Sequence, residues 1–178
     1  MRTYKIGLAA FITLLTIASV SLAVNLPVVF TASQVLAQTV NERKAEADRL
    51  FQQGIDQLNT SQFEAALQSW QQALMIYREI KDRKSEGKAL GNFGLAYRNL
   101  GNYSKAIEYS QQVLAIAREI KDRQSEGKAL GNLGLAYRNL GNYAKAIEYQ
   151  MQQLAIAREI KDRQSEGAAL GNLGNAYL

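Results

Sequence analysis

Amide and cationic side chains recur at fixed spacing in this sequence and are its best candidates for chemistry. Asn92 and Asn132 are 40 residues apart, and so are Lys88 and Lys128. An amide side chain can both donate and accept hydrogen bonds with a peptide backbone, and a lysine ammonium can bind a carboxylate. Side chains of these types are chemically suited to bind a polar or acidic chain.

The composition excludes most familiar catalytic and metal sites. The 178 residues include no His and no Cys, which removes Ser-His-Asp and Cys-His nucleophiles, disulfides and the usual zinc and haem ligands. Glu119, Asp122 and Glu126 lie beside Lys121 and Arg123, a pattern that predicts solvated ion pairs of small individual value. We therefore predict a protein that is not an enzyme and needs no metal, nucleotide or organic cofactor.

The net charge does not favour a nucleic-acid partner. The formal charge is +5 for the whole chain, and it falls to +3 without the two cations Arg2 and Lys5 near the N-terminus. Cations and acids are mixed along the rest of the sequence, whereas a nucleic-acid surface needs clustered cations without neighbouring acids. We predict no nucleic-acid binding.

Residues 1–37 have the pattern of a signal peptide. Two cations precede residues 6–24, which carry no charge, and Ala37 offers a small residue before Gln38. We predict cleavage between Ala37 and Gln38, with a second candidate site after Ser21-Leu22-Ala23, and export to the periplasm, the thylakoid lumen or the medium. Residues 6–24 are also just long enough to span a bilayer, so an uncleaved membrane anchor remains the alternative.

The remainder of the sequence consists of repeats. Residues 83–122 are followed by a second copy at 123–162, by a partial copy at 163–178, and are preceded by a diverged unit at 40–82. The two complete copies differ only at the pairs Lys84/Gln124, Phe93/Leu133, Ser104/Ala144, Ser110/Gln150, Gln111/Met151 and Val113/Gln153. Such self-similarity predicts a repeat architecture in which each unit packs on its neighbours.

Each unit is predicted to contain two helices. Apolar and small residues recur at helical spacing in the first helix, at Leu90, Phe93, Gly94, Tyr97 and Leu100. The glycine pairs, such as Gly91 with Gly94, lie in the middle of this helix, where glycine costs about 1 kcal/mol of helix propensity. We expect these glycines to let a partner helix approach closely.

Short turns are predicted to connect the helices. Gly101 suits a left-handed C-terminal cap, and Asn102 suits the N-cap of the second helix. Asp122 is placed to cap the first helix of the next unit. In the diverged unit, Ser61 and Glu64 have the spacing of a capping box.

The series Leu90, Phe93, Gly94, Tyr97 and Ala106, which repeats 40 residues later, resembles the tetratricopeptide repeat (TPR) pattern. The 40-residue period is similar to the variant found in kinesin light chain and in many cyanobacterial repeat proteins. The resemblance implies an all-α TPR solenoid of antiparallel helix pairs, wound as a right-handed superhelix, that follows the N-terminal hydrophobic segment. Proteins of this kind are non-catalytic scaffolds that bind a protein or peptide.

The resemblance also implies which residues face the partner, because the first helices of TPR units line the concave surface. Position by position, the groove residues are Lys88, Asn92, Leu95, Arg98, Asn99, Lys128, Asn132, Leu135, Arg138, Asn139, Asn172 and Asn175. This set contains four cations and no acid, which favours an extended, acidic peptide. The alternative is that these are solvated polar residues on recently duplicated copies.

Two further expectations concern the context of the repeats. Cyanobacterial proteins similar to this chain often carry such repeats before a caspase-like (CHAT) protease domain, so a targeting or regulatory fragment of a larger protein is the alternative function. The sequence ends inside the partial unit, and Leu170, Leu173 and Tyr177 are expected on the exposed side of its helix. A homodimer through this end is the second expectation.

Overall fold

The computed structural model describes the backbone of residues 32–177 and the side chains of residues 37–175. This part of the chain forms seven helices and no strand: α1 (Ala32–Asn59), α2 (Phe63–Glu79), α3 (Arg83–Asn99), α4 (Tyr103–Glu119), α5 (Arg123–Asn139), α6 (Tyr143–Glu159) and α7 (Arg163–Tyr177). The all-α prediction is confirmed. None of the helices within residues 32–177 combines the length and apolar character needed to cross a membrane.

The signal-peptide prediction falls mostly outside the described residues. The predicted anchor at 6–24 lies entirely outside them, whereas residues 32–37 form the first turns of α1. Cleavage after Ala37 would therefore remove the start of α1 and leave its longer part, from Gln38 onward, to pack on α2.

The helices pack as consecutive antiparallel pairs. Helices α1 and α2, α3 and α4, and α5 and α6 form the pairs, and each second helix also packs on the first helix of the next unit. Helix α3 additionally contacts α5, and α5 contacts α7, while the described second helices make no comparable contact with one another. Helices α3, α5 and α7 are thus closer together than the second helices, which places them on the inner, concave side of the array.

The 40-residue period follows from equal helices joined by equal turns. Helices α3, α4, α5 and α6 each have 17 residues, and three residues connect each to the next. Within the units, Gly101 and Gly141 have φ of 74° and 77°, and the Asn102 side chain accepts a hydrogen bond from the Lys105 backbone N–H at 3.1 Å. The predictions for Gly101 and Asn102 are confirmed.

The predicted capping box at Ser61 and Glu64 is wrong. The N-cap of α2 is Gln62, and its side chain makes no capping hydrogen bond. Ser61 has φ of 62°, the left-handed position that Gly101 occupies in the next unit. All described turns share one length, so the cap position falls one residue after Ser61.

The turns between units are closed by aspartates. The Asp122 carboxylate accepts hydrogen bonds from the Ser125 backbone N–H at 3.0 Å and from the Ser125 hydroxyl at 2.8 Å. The hydrogen bond from the Ser125 N–H is the main reason that the pKa of Asp122 lies below its ordinary value, although partial burial acts in the opposite direction. The prediction that Asp122 caps the next helix is confirmed.

Replacing Asp122 by Ala is expected to lower the free energy of unfolding by about 1 kcal/mol at pH 7. Because folding lowers the pKa of Asp122, its contribution is complete above the unfolded-state pKa of about 4 and is lost as pH falls through the folded-state pKa. The deficit of Asp122→Ala should therefore shrink below pH 4 in urea denaturation followed by circular dichroism. Asp122→Asn keeps the cap and serves as the control at pH 7. An equal deficit at pH 7 and at pH 2 would contradict this account.

Ion pairs at the unit junctions differ from the predicted solvated pairs. Glu119 is exposed, as expected, but it pairs with Arg83 at the start of α3 and not with a cation of its own turn. Glu126, however, has a side chain only 9% exposed, and it pairs with Arg118 at 2.9 Å and with Arg123. Burial raises the pKa of Glu126, but the hydrogen bonds from the two arginines outweigh burial and leave the pKa below its ordinary value. This carboxylate joins the end of α4 to the start of α5.

Apolar side chains between the helix pairs form the core. Trp70 and Tyr77 on α2 are fully buried with Leu90 on α3, and Leu130 and Leu133 on α5 occupy the equivalent space in a second cluster. The two clusters share Tyr97 and Val113 as partly buried neighbours. The core is therefore continuous along the array, and it fixes the spacing of the concave helices.

Candidate functional site

A cavity of about 500 Å³ opens between α3 and α5, with α1 and α4 completing its walls. Cavities of this size are typical of ligand pockets. Its lining residues are Phe51, Ile55, Lys84, Gly87, Lys88, Gly91, Asn92, Leu95, Val113, Ile116, Ala117, Ile120, Asp122, Gln124, Ser125, Lys128, Ala129 and Asn132. Because α3 and α5 lie on the concave side, this cavity is part of the concave surface.

Two lysines and two asparagines from equivalent positions border the cavity. Lys88 and Asn92 come from α3, and Lys128 and Asn132 come from α5. Within the described part of the chain, neither lysine forms a salt bridge and neither asparagine amide forms a hydrogen bond. Both lysines are exposed and both asparagines are half-buried. Their hydrogen-bonding groups are therefore available to a partner.

The cavity also contains an acid, which the predicted set of groove residues lacked. Asp122 lines it, together with Lys84 and Gln124. The charge of Lys84 helps to lower the pKa of Asp122, and the carboxylate is already bonded to Ser125. Lys84, Lys88 and Lys128 outnumber this single acid, so the lining keeps a positive charge.

The floor of the cavity is apolar. Val113, Ile116 and Ala117 of α4 contribute to it, together with Ile120, which directly follows this helix. The groove residues predicted from the sequence all belong to the first helices, so the prediction missed the apolar residues of α4. The only sequence signal is the presence of Gly87 and Gly91 on α3, where a longer side chain would cover α4.

The other predicted groove residues are distributed along the array. Leu95 lines the cavity and is 36% exposed. Asn172 is turned toward α6, where its amide is 3.5 Å from the Gln150 Oε1. The remaining predicted residues do not line this cavity; they are Arg98, Asn99, Leu135, Arg138, Asn139 and Asn175. The structure thus gathers five of the twelve predicted residues, Lys88, Asn92, Leu95, Lys128 and Asn132, at one site.

The outer face of α7 is partly apolar. Leu170 is 47% exposed, whereas Leu173 is half-buried. The side chain of Tyr177 lies outside the described residues. Self-association through this face remains a prediction.

The repeat pattern has a family match. The sequence model described as tetratricopeptide repeat matches residues 57–119 and 125–178, which together make up more than half of the chain. The chain belongs to the tetratricopeptide repeat family. The TPR units of the described structure are the helix pairs, and the cavity lies where two TPR units meet on the concave side.

Solved structures share this fold. The chain is similar to the STAND ATPase with a TPR sensor from Pyrococcus horikoshii, with 25% identity and a TM-score of 0.71 over 80% of this chain and 22% of that one. It is similar to the TPR domain of Arabidopsis FLU, with 26% identity and a TM-score of 0.62 over 66% of this chain and 98% of that domain.

A third structure has nearly identical TPR-like repeats. It is a putative kinesin light chain from Podospora anserina, with 20% identity and a TM-score of 0.61 over 80% of this chain and 74% of that one. The predicted resemblance to kinesin-light-chain-type repeats is confirmed at the level of the fold. Among curated proteins, no sequence matches this chain. TPR domains are generally protein-protein interaction modules.

Proposed function

We propose that this chain is a non-catalytic interaction module that binds an extended acidic segment of a protein partner along its concave surface. The observation that carries the proposal is that two lysines, Lys88 and Lys128, lie at equivalent positions beside one cavity without a salt bridge in the described part of the chain. A TPR array presents an extended surface of this kind to its partner. Export through residues 1–37 is part of the proposal and rests on the sequence.

Charge and hydrogen bonding favour an extended acidic segment. Carboxylates of a partner would pair with Lys88 and Lys128, and charge-assisted hydrogen bonds of this type are stronger than neutral ones. Asn92 and Asn132 offer both donors and acceptors to the backbone N–H and C=O groups that an extended chain leaves unpaired. Repetition on α3 and α5 places the same two groups at two successive points along the groove.

Charge reversal of the two lysines tests this proposal. The probe is a phage-displayed library of random 12-residue peptides, selected on the full chain. We expect the selected peptides to be rich in Asp and Glu, and to bind the double variant Lys88→Glu, Lys128→Glu at least tenfold more weakly in titration calorimetry. The matched control reverses Lys121 and Lys161, which lie in exposed turns between units, and it should change affinity less than twofold.

Two outcomes would overturn the proposal. One is a selected peptide set without excess acid, and the other is equal binding to the wild type and to the Lys88→Glu, Lys128→Glu variant. The salt dependence of binding is a second test, because dissolved ions screen the attraction between partner carboxylates and exposed lysines. Affinity for the selected peptides should fall as NaCl rises from 50 to about 300 mM.

A second candidate function is the sensing or targeting part of a larger protein. The similar Pyrococcus horikoshii ATPase carries its TPR region as a sensor, and this chain covers only 22% of that protein. A caspase-like protease is one effector class for such an arrangement. Detection of a product much larger than 19.7 kDa in the source cells would favour this candidate, and the groove would then recognise a signal for the attached domain.

A further inference from the structure

We infer that the cavity between α3 and α5 is an anchoring slot that takes one large apolar side chain of the partner, with acidic residues on both sides of that side chain. This inference rests on the proposed function, and it adds to the acidic segment a defined anchor and a single position along the array. Three features of the described structure support it. They are the apolar side chains that form the floor of the cavity, the absence of a side chain over that floor at Gly91, and the lysines at the edge, or rim, of the cavity.

The floor can bury an apolar group. Val113 of α4 and Ile120, the residue after α4, are half-buried, as are Phe51 and Ile55 of α1. These side chains border the cavity and remain partly open to solvent. An apolar side chain inserted between them would remove both its own surface and theirs from water, which is favourable in proportion to the area buried.

Nothing in the described structure covers this floor at Gly91. A Cβ atom at Gly91 would meet no atom within 4 Å. In the next unit the equivalent Gly131 is covered, because a Cβ atom there would lie 2.7 Å from the Gln153 Oε1. The expectation that each glycine receives a partner helix thus fails at Gly91, whose open side belongs to the cavity.

One of the six differences between the two copies accounts for this contrast. Val113 in the second unit corresponds to Gln153 in the third, and the longer Gln153 side chain extends under Gly131. Neither Gly131 nor Gln153 lines the cavity, whereas Gly91 and Val113 do. The slot is therefore present at α3 and filled at α5, so a partner with one apolar anchor binds in one register.

The charged residues of the rim favour particular residues on either side of the apolar anchor. Lys84 and Lys88 on α3 border one side of the slot, and Lys128 on α5 borders the other side. A partner whose apolar anchor lies between two acidic residues therefore meets a cation on each side. The cavity volume of about 500 Å³ accommodates one large side chain together with adjacent backbone.

The test uses the peptide library and the full chain, with variants that fill the slot. Gly91→Leu places a side chain into open space, so the fold should be retained. The matched control is Gly171→Leu, at the equivalent position of α7, where a Cβ atom also meets nothing within 4 Å and no cavity lining is involved. Val113→Gln is a second variant, which copies the arrangement of the next unit.

We expect the selected peptides to share one Leu, Phe, Met or Trp between acidic residues. Their dissociation constants should rise at least thirtyfold in Gly91→Leu and at least tenfold in Val113→Gln, and less than twofold in Gly171→Leu. Circular dichroism on each variant checks that the helix content is unchanged.

Failure of this inference is distinguishable from failure of the proposed function. Peptides that lose affinity in Lys88→Glu, Lys128→Glu but bind Gly91→Leu normally would overturn the slot and leave the acidic groove in place. Peptides that are acidic but share no apolar position would do the same. Peptides that bind all of these variants equally would overturn both.

Discussion

Replacing Gly54 by Ala is expected to lower the free energy of unfolding by about 2 kcal/mol. A Cβ atom at Gly54 would lie 2.4 Å from Nε1 and 2.5 Å from Cδ1 of Trp70. The indole cannot move away, because it is fully buried and its Nε1 donates to the Phe51 carbonyl oxygen at 3.1 Å. Overpacking of this kind costs up to about 3 kcal/mol, and the better helix propensity of Ala offsets about 1 kcal/mol.

The repeats supply matched controls for this prediction. Gly94 occupies the same repeat position, but its nearest neighbour would be the small Ser110 hydroxyl at 3.3 Å, so Gly94→Ala should be nearly neutral. Gly91→Ala meets open space and should stabilise the chain by about 1 kcal/mol. Urea denaturation measured by the fluorescence of Trp70, the single tryptophan, provides the comparison. Equal effects of Gly54→Ala and Gly94→Ala would contradict the close contact with the indole.

Replacing Gln153 by Val is expected to raise the free energy of unfolding by about 1 to 2 kcal/mol. The Gln153 side chain is buried, and its Oε1 has no hydrogen-bond partner within the described part of the chain. A buried acceptor without a partner costs about 1 to 3 kcal/mol, and the smaller volume of Val offsets part of this gain. Valine already occupies the equivalent position, Val113, in the preceding unit.

Gln150 is the control, because it is buried on the same helix but has partners. Its Nε2 donates to the Gly131 carbonyl oxygen at 3.2 Å. Gln150→Ser, which copies Ser110, should therefore destabilise the chain by about 1 to 2 kcal/mol, since a hydrogen bond is lost and a void is created. Thermal and urea denaturation measure the change in the free energy of unfolding for both variants. If both substitutions stabilised the chain, or if neither did, the difference in hydrogen bonding between Gln150 and Gln153 would not explain their effects on stability.

The local features of the fold could be predicted from the sequence because they depend on short-range patterns. The stripe around Leu90 and Phe93 gives the concave helices, and Gly101, Asn102 and Asp122 give the turns, since each acts through neighbours within a few residues. The placement of Lys88 and Lys128 on the concave side followed from the repeat resemblance. The helix stripe, the turn residues and the two lysines recur in both complete copies, and this repetition made them predictable from the sequence.

The features that distinguish one copy from another could not be predicted in the same way. Gly91 and Gly131 lie in nearly the same local sequence, yet one borders a cavity and the other contacts Gln153. That difference depends on which side chain a neighbouring helix presents 22 residues later, and on its rotamer. Likewise, the burial of Glu126 between two arginines depends on how α4 meets α5, which no local pattern records.

Methyl-resolved NMR of the full chain with a library-selected peptide tests the central claim most directly. The claim is that a partner segment occupies the concave side between α3 and α5 with an apolar group on the floor. We expect shifts for the methyl groups of Val113 and Ile120, and nuclear Overhauser contacts from them to the apolar side chain of the peptide. The equivalent Ile160 of the next unit should not shift. Shifts confined to residues outside the cavity, with Val113 and Ile120 unchanged at saturation, would contradict it.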